Sequence, residues 1–372
     1  MSDDLPDPDR IDGAPHPRET VGLFGQENAE AEFLEAYAGG RLHHAWMLTG
    51  PRGVGKATLA WRIARFLLAN PPASGDDMFG APPPPASLDV SPDHPVSRRM
   101  LAGSEPGLHV LRRGPNDAGT KLSADIRIDR VRALKGFFSL SATDGGRRIV
   151  IVDAADELNT SSANALLKVL EEPPKDAILI LITHQPSRLL PTIRSRCRVL
   201  RLSPLDAPTL DAALAQAGVT PEPGLSALAA GSTGAAVRLA NLGGLDLYRL
   251  LVQLFGGLPQ VDRAAIAKLG DLAGARGGEA RYDLLLDLFD LFLSRAARTG
   301  ATGEAPIAAC NGEASLLARM APSPRAAQAW AQLQGELSAR ARHGRAVNLD
   351  PAALVLDMVL SIEAQARQVA TP

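Results

Sequence analysis

A glycine-rich run that ends in lysine carries the strongest chemical signal in this sequence. Residues 50–56 read GPRGVGK, which fits the pattern GxxxxGK. Loops of this pattern cradle phosphates with backbone N–H groups, and their lysine reaches the β and γ oxygens. We therefore predict that nucleotide phosphates contact the residues that define the pattern, Gly50, Gly53, Gly55 and Lys56.

The position after this lysine lacks the side chain that usually binds magnesium. It is Ala57, where a Ser or Thr hydroxyl normally ligates Mg²⁺. Thr58 follows and stays a candidate for the same nucleotide site, although one step along a helix turns its side chain by about 100° from the ligand position. The sequence thus predicts a weak or vestigial nucleotide site without a metal ligand here.

A carboxylate at the end of a β-branched run supplies a second part of the predicted site. Residues 148–153 read RIVIVD, so Asp153 stands where it could hold the water shell of Mg²⁺. The next residue is Ala154, where an ATPase of this type places a glutamate that orients water. Losing such a base typically costs about 10²–10⁴ in rate. We expect a helix to carry the nearby Asp156 and Glu157 away and to hold them as an N-terminal charge pair.

The elements that position these groups alternate between strand and helix. An apolar strand pattern at 45–49 runs into the loop, and helical spacing follows at 56–69, which is the context that confirms a phosphate loop. Near-continuous apolar runs suit parallel strands buried on both faces. The alternation predicts a doubly wound parallel sheet with its site at the strand carboxyl ends. Further strands are predicted at 148–153, 177–182 and 198–202, and further helices at 27–38, 128–138 and 164–171.

Composition divides the chain into segments. Residues 1–20 are acidic and contain proline, and we predict a disordered leader there. Within the α/β segment, 21–205, residues 71–122 are rich in Pro, Gly, Ser and Asp and are predicted to form an irregular insertion. Strand patterns stop after residue 205, so we predict a small helical lid over 206–243 and an all-helical domain over 244–372.

Charge and cysteine content exclude several classes of protein. The formal net charge is −2, so bulk attraction to nucleic acid is not expected and any DNA contact would be local. Cys197 and Cys310 are the only cysteines, which leaves no disulfide framework and no four-cysteine zinc site, and fits a reducing cytosol. The leader is no signal peptide, and no apolar run approaches the ~20 residues of a membrane span. We expect a cytoplasmic protein without a membrane partner.

Four runs of the sequence carry a family resemblance. They are 153–174 (DAADELNTSSANALLKVLEEPP), 189–197 (LLPTIRSRC), 44–46 (HAW) and 348–351 (NLDP). They resemble the clamp-loader subunits of bacterial DNA polymerase III, most closely the delta-prime family. The resemblance implies an AAA+ α/β P-loop domain, a helical lid and a helical collar. It also implies a pentamer with delta and gamma/tau subunits, which acts on the sliding clamp and primed DNA.

The triplet Ser195-Arg196-Cys197 matches the arginine-finger motif of that family. The resemblance implies that Arg196 reaches across a subunit interface to the γ-phosphate of ATP on a neighbour. A finger supplied in trans is worth about 10³–10⁵ in rate in P-loop NTPases, and it needs a rigid, bidentate cation. The alternative is a solvated strand edge, because Arg194, Arg196 and Arg198 alternate along the sequence.

Two further positions resemble the sensor residues of the family. Thr183 ends a predicted strand that faces the phosphates, and the alternative for it is a strand-terminal turn. Arg238 follows GSTG at 231–234 and resembles a lid sensor, and the alternative is a surface arginine. Several family members carry a cysteine-ligated zinc module, but 71–122 contains no cysteine, so we predict no zinc. No cofactor is expected to be required, and weak ATP or ADP binding is compatible with the preserved loop.

The two alanines and the resemblance together lead to the expected function. Ala57 removes a metal ligand and Ala154 removes the water-orienting group, so hydrolysis by this chain is expected to be poor or absent. The resemblance implies a largely non-hydrolysing subunit that supplies Arg196 to a neighbouring ATPase, and nothing in the sequence resembles a polymerase active site. The alternatives are an ATP-hydrolysing gamma/tau-type motor, another AAA+ ATPase, or an AAA+ scaffold outside replication.

Overall fold

The computed structural model of the chain divides into two compact units. The first comprises residues 1–218 and 231–234, and the second comprises 219–230 and 235–372. The predicted division into a lid and a collar stays a prediction. The structure describes residues 7–11, 13–20, 22–40, 42–71, 85–139, 146–275 and 277–370.

Five parallel strands form the sheet of the first unit. They are β1 (Ala45–Thr49), β2 (Leu108–Arg112), β3 (Arg148–Asp153), β4 (Ala177–Thr183) and β5 (Arg198–Arg201). Their order is β2-β3-β4-β1-β5, so the strand before the glycine-rich loop lies between β4 and β5. In register, Thr49 lies beside Thr183 and Arg201, and Asp153 lies beside Arg112. Residues that end all five strands therefore meet at one edge of the sheet.

Helices cover both faces of this sheet because alternate strand residues point to opposite sides. Trp46 and Leu48 of β1 join one buried cluster with Phe33, whereas Met47 joins the other with Leu166. The predicted α/β fold, a parallel sheet around a phosphate loop, is confirmed. The helices of the first unit are α1 (Glu27–Ala38), α2 (Lys56–Ala69), α3 (Pro95–Leu101), α4 (Ile128–Ser139), α5 (Thr160–Glu171), α6 (Pro191–Arg194) and α7 (Ala207–Gln216).

The segment predicted as an irregular insertion, 71–122, contains regular structure. Its residues 95–101 form α3, and residues 108–112 form β2, which pairs with β3 along its whole length. Strand β2 reads LHVLR and only Leu111 is fully buried, because the strand lies at the edge of the sheet. Its polar residues hid the strand pattern, so the prediction was wrong for this part. Residues 72–84 of the segment lie outside the described residues.

The described part of the predicted disordered leader, residues 7–11 and 13–20, is packed against the first unit. His16 is 1% exposed and meets the Trp61 ring edge-on, with ring centroids 5.6 Å apart. The carboxylate of Asp9 is equally buried and pairs with Arg112. Buried charges are rarely left unpaired, and Arg112 supplies the partner from β2. Residues 1–6 and 12 lie outside the described part.

Helices alone form the described part of the second unit, which contains a buried polar network. Glu313 is 0% exposed, and its Oε1 accepts from Arg295 Nε and from the Tyr248 hydroxyl, both at 2.6 Å. Arg295 also donates to the carbonyls of Ala227 and Ile307. No helix in the described ranges is long and apolar enough to cross a membrane. The helices are α8 (Pro223–Ala229), α9 (Thr233–Asn241), α10 (Gly244–Gly256), α11 (Arg263–Ala273), α12 (Glu279–Thr302), α13 (Glu313–Met320), α14 (Pro324–Ala346) and α15 (Pro351–Ala370).

Candidate functional site

The glycine-rich loop between β1 and α2 has the backbone geometry of a phosphate cradle. Gly50, Gly53 and Gly55 have φ angles of +144°, +77° and +101°, which L side chains rarely adopt. A Cβ on Gly50 would lie 2.3 Å from the backbone oxygen of Leu202, and one on Gly53 would lie 2.4 Å from Ser232 Oγ. The loop therefore requires these glycines, and their contact with nucleotide stays a prediction.

Lys56 begins α2 and turns its ammonium back onto the loop. Its side chain is buried, and Nζ donates to the carbonyl of Gly50 at 2.7 Å and also to the carbonyl of Pro51. Burial lowers the pKa of Lys56 to about 8, although the charges of Asp153 and Asp156 oppose the shift. A phosphate oxygen would offer this ammonium a charged acceptor, which binds more strongly than a neutral carbonyl.

The two residues after Lys56 do not rebuild a metal ligand. Ala57 offers only a methyl group, which packs against the core cluster that contains Trp46. Thr58 is half-buried one step further along α2, where the helix turns its side chain by about 100°. Position 57 therefore does not fit a protein ligand to Mg²⁺, and Thr58 as a nucleotide-site residue stays a prediction.

Asp153 ends β3 at the same edge of the sheet as the loop. Burial raises its pKa to about 7, and the negative charges of Asp9 and Glu157 contribute to the shift, whereas Lys56 opposes it. The following side chain, Ala154, is buried and apolar. The site thus keeps an acid that could hold a magnesium water shell, but no carboxylate follows it to orient an attacking water.

Asp156 and Glu157 remain beside the site, so the expectation that a helix carries them away was wrong. They lie in a single 3₁₀ turn, too short to move them from the end of β3. Asp156 Oδ1 accepts the backbone N–H of His184 at 2.9 Å. Glu157 pairs with Arg113 at 2.9 Å and with Arg52 of the loop at 3.7 Å. Both carboxylates therefore have partners within the chain, which does not favour either as a free general base.

Thr183 ends β4 beside Thr49, at the position predicted for a polar sensor. Its side chain is fully buried, and Oγ1 has no hydrogen-bond partner among the described residues. An unpaired buried hydroxyl costs about 1–3 kcal/mol, so its retention calls for an explanation such as a ligand. Burial and the charge of Lys56 lower the pKa of the following His184 to about 4, so this imidazole is neutral. The sensor role of Thr183 stays a prediction.

Arg196 lies in the turn between α6 and β5. Its Nη2 pairs with Glu171 Oε1 at 2.9 Å, and Nη1 donates to the Thr192 carbonyl at 3.0 Å. The alternative of a continuous strand edge was wrong, because Pro191 begins a short helix and the strand starts only at Arg198. The guanidinium is 36% exposed and held by α5 and α6, so it is both positioned and accessible. Its role as a finger stays a prediction.

The residues on either side of Arg196 have other surroundings. Arg198 lies over the Trp46 ring, 5.1 Å from its centroid, and pairs with Glu32 at 3.4 Å. Arg194 is exposed. Burial raises the pKa of the Cys197 thiol to about 12, as expected for an inert core cysteine. Arg196 thus contacts two helices, α5 and α6, just before β5 begins.

The contact between the glycine-rich loop and residues 231–234 was missed by the sequence analysis. Gly234 N donates to the Gly53 carbonyl at 3.0 Å, and Ser232 Oγ donates to the Arg52 carbonyl at 2.8 Å. Glycines in the run GSTG were the available signal, because a Cβ on Gly234 would lie 2.9 Å from Gly53 Cα. Arg238 belongs to the second unit, where it pairs with Asp287 of α12. Its sensor role stays a prediction.

Comparison with known proteins matches much of the first unit to one family. Residues 25–206 match the family model described as DNA polymerase III, delta subunit. The DNA polymerase III subunit delta' of Pseudomonas aeruginosa is 41% identical over 166 residues, which are 44% of this chain and 45% of that protein. The chain therefore spans about half the length of the curated relatives it matches.

A second group of relatives is less similar. The DNA polymerase III subunit gamma/tau of Mycobacterium bovis is 31% identical over 283 residues, which are 73% of this chain and 40% of that protein. A solved gamma subunit-related protein from Thermotoga maritima aligns with 73% of this chain and 90% of its own at 18% identity. The TM-score of this alignment is 0.33. The gamma/tau likeness fits only the alternative of a hydrolysing subunit.

Proposed function

We propose that the chain acts as a clamp-loader delta-prime subunit of bacterial DNA polymerase III. The match of residues 25–206 to the family model described as DNA polymerase III, delta subunit, and the 41% identity to a delta' subunit support this proposal. In this role it assembles with delta and gamma/tau subunits in the cytoplasm, without a membrane partner. Through that complex it helps to place the sliding clamp on primed DNA. The polymerase activity belongs to the other subunits of the assembly.

One observation carries this proposal: the loop keeps its phosphate cradle while both groups that serve hydrolysis are replaced by alanine. The three glycines keep their positive φ angles and Lys56 lies at the loop. Ala57 offers no metal ligand, and Ala154 offers no base beside Asp153. A fold that is retained without its catalytic groups is what a non-hydrolysing member of an ATPase assembly requires.

The chain's own chemical contribution is proposed to be Arg196, acting on ATP bound to a neighbouring subunit. Glu171 and the Thr192 carbonyl each bind one terminal nitrogen of the guanidinium, and the side chain of Arg196 remains 36% exposed. An arginine held in this way loses little conformational freedom when it meets a phosphate. To reach the ATP of the neighbour, Arg196 must exchange its ion pair with Glu171 for one with the γ-phosphate. This exchange is favourable because the γ-phosphate carries more negative charge than a carboxylate.

The chain's own nucleotide site is proposed to be weak and not required for assembly. If ATP or ADP binds, the backbone N–H groups around Gly53 and Gly55 and the ammonium of Lys56 would hold the phosphates, and the unpaired hydroxyl of Thr183 would face them. Arg238 of α9 is proposed as the lid sensor that the family resemblance implies. Thr58 is not oriented toward the metal position. We propose no zinc module.

Two measurements test this proposal. The purified chain, mixed with gamma/tau and delta, is expected to co-elute with them as one complex by size-exclusion chromatography. Failure to join them would favour an AAA+ scaffold outside replication. The chain alone with Mg²⁺ and ATP is expected to show no turnover above a Lys56→Ala variant. Turnover at a rate typical of a motor subunit would instead favour the gamma/tau-type alternative.

A further inference from the structure

The N-terminal segment lies across the mouth of the nucleotide site. We call residues 7–11 and 13–20 the N-terminal strap. At one end, Ile11 Cδ1 would lie 2.7 Å from a Cβ on Gly234, the residue that donates a hydrogen bond to Gly53 of the loop. At the other end, the Arg18 carbonyl accepts from Arg65 Nη2 at 2.6 Å. The strap therefore runs from the loop to helix α2.

On the N-terminal side of Ile11, the strap places a carboxylate beside the acidic side of the site. Asp9 pairs with Arg112 and with His16 Nε2, the latter at 3.4 Å. Arg112 ends β2 directly beside Asp153, the last residue of β3. Burial alone would raise the pKa of Asp9, but the bond to His16 and the charge of Arg112 hold it below its usual value, so Asp9 is an anion. The negative charge of Asp9 contributes to the raised pKa of Asp153, as expected for two carboxyl groups on either side of Arg112.

An anion at this place opposes the binding of nucleotide phosphates. A nucleoside diphosphate brings several negative charges to the loop, and like charges repel more strongly in a partly buried site than in water. Asp9 and Glu157 pair with Arg112 and Arg113, so these two cations are already neutralised before a phosphate arrives. The usual hydroxyl at position 57, which would help to hold a neutralising metal, is absent.

The strap is held by contacts that nucleotide could displace. A cavity of about 460 Å³ is lined by residues of the strap and of strand β2. The side chain of Ile11 is 38% exposed. Arg112 is also held by Asp7, at 3.1 Å, so it would keep one partner if Asp9 moved.

We propose that the N-terminal strap is an intrachain ligand of the nucleotide site and competes with the phosphates of ATP or ADP. The strap keeps the site closed to nucleotide in the resting chain, and Asp9 is the residue that opposes phosphate. This inference concerns the chain's own loop. It is independent of whether Arg196 acts on a neighbouring subunit.

The test uses the full chain and a fluorescent N-methylanthraniloyl ADP as probe, without Mg²⁺. Asp9→Asn removes the charge and is expected to tighten binding about tenfold or more. Ile11→Ala leaves the charge and loosens the strap, and we expect a tightening of roughly threefold. Asp7→Asn is the matched control, since it removes an equal charge from the same segment and from the same arginine. Its affinity is expected to stay within about twofold of the wild type.

Hydrogen exchange gives a second readout that needs no variant. Saturating ADP is expected to increase amide exchange in residues 13–20, because bound phosphates displace the strap. Equal affinity of wild type and Asp9→Asn, binding by none of the variants, or unchanged exchange at saturating ADP would each overturn the proposal.

Discussion

Removal of the Glu313 carboxylate is expected to destabilise the second unit strongly. The carboxylate is fully buried and accepts three hydrogen bonds, from Arg295, from the Tyr248 hydroxyl and from the backbone N–H of Ala309. Glu313→Ala leaves the buried guanidinium of Arg295 without its counter-ion. Breaking a buried pair in this way costs about 3–5 kcal/mol. The Tyr248 hydroxyl and the Ala309 N–H also lose their acceptor, which adds to this loss of stability.

The expected change is large enough to measure in a melting curve. The second unit has about 150 residues, for which 1 kcal/mol shifts Tm by roughly 2–4 °C. Glu313→Ala should therefore lower the Tm of this unit by roughly 6–20 °C. Circular dichroism can follow this transition, because helices alone form the described part of the second unit.

An exposed ion pair of the same unit supplies the control. Asp246 pairs with Arg249 at 2.8 Å, but the two side chains are 74% and 47% exposed. Asp246→Ala is expected to cost about 0.5 kcal/mol or less. The double variant Arg295→Met/Glu313→Leu removes both buried charges. It should therefore be more stable than Glu313→Ala, which leaves one of them unpaired. A Glu313→Ala loss below about 1 kcal/mol would refute the reasoning, because it would mean that water reaches Arg295.

Three further predictions concern the first unit. Between about pH 8 and 10.5, Lys56 binds more protons in the unfolded chain than in the folded chain. The free energy of unfolding should therefore rise with pH in this range, by up to roughly 3 kcal/mol relative to the Lys56→Met variant. Urea unfolding measures this difference. The opposite sign holds for Asp153, whose raised pKa should make stability fall from about pH 4 to 7 relative to Asp153→Asn. Gly50→Ala should destabilise by about 1–3 kcal/mol in the same assay, since φ is +144° and the Cβ would clash with a backbone oxygen. A change within 0.5 kcal/mol would mean that the loop relaxes.

The elements around the glycine-rich loop could be predicted from the sequence because their patterns are local. Strand 45–49 and helix 56–69 have the bounds that apolar runs and helical spacing indicated. The β-branched run 148–153 likewise forms β3, and it ends at Asp153 as predicted. These segments are buried on both faces or on one clear stripe, so burial and sequence pattern agree.

The remaining features depend on contacts between residues far apart in the sequence. Strand β2 carries His109 and Arg112, and only its pairing with β3 makes it a strand. The strap looked disordered because its composition is polar, and it is held by long-range partners such as Arg112 and Arg65. Asp156 stays at the site because a 3₁₀ turn replaces the expected helix, a choice that local propensity does not fix.

Turnover of ATP by the reconstituted clamp loader shows whether Arg196 acts on a neighbouring subunit. The complex is assembled from this chain, delta and gamma/tau with clamp and primed DNA, and wild type is compared with Arg196→Ala. Arg194→Ala is the matched control, since this arginine is exposed two residues away on the same segment. We expect a fall of roughly 10²-fold or more for Arg196→Ala with assembly intact, and no fall for the control. Unchanged turnover in an intact complex would contradict the role of Arg196 and leave the chain a scaffold.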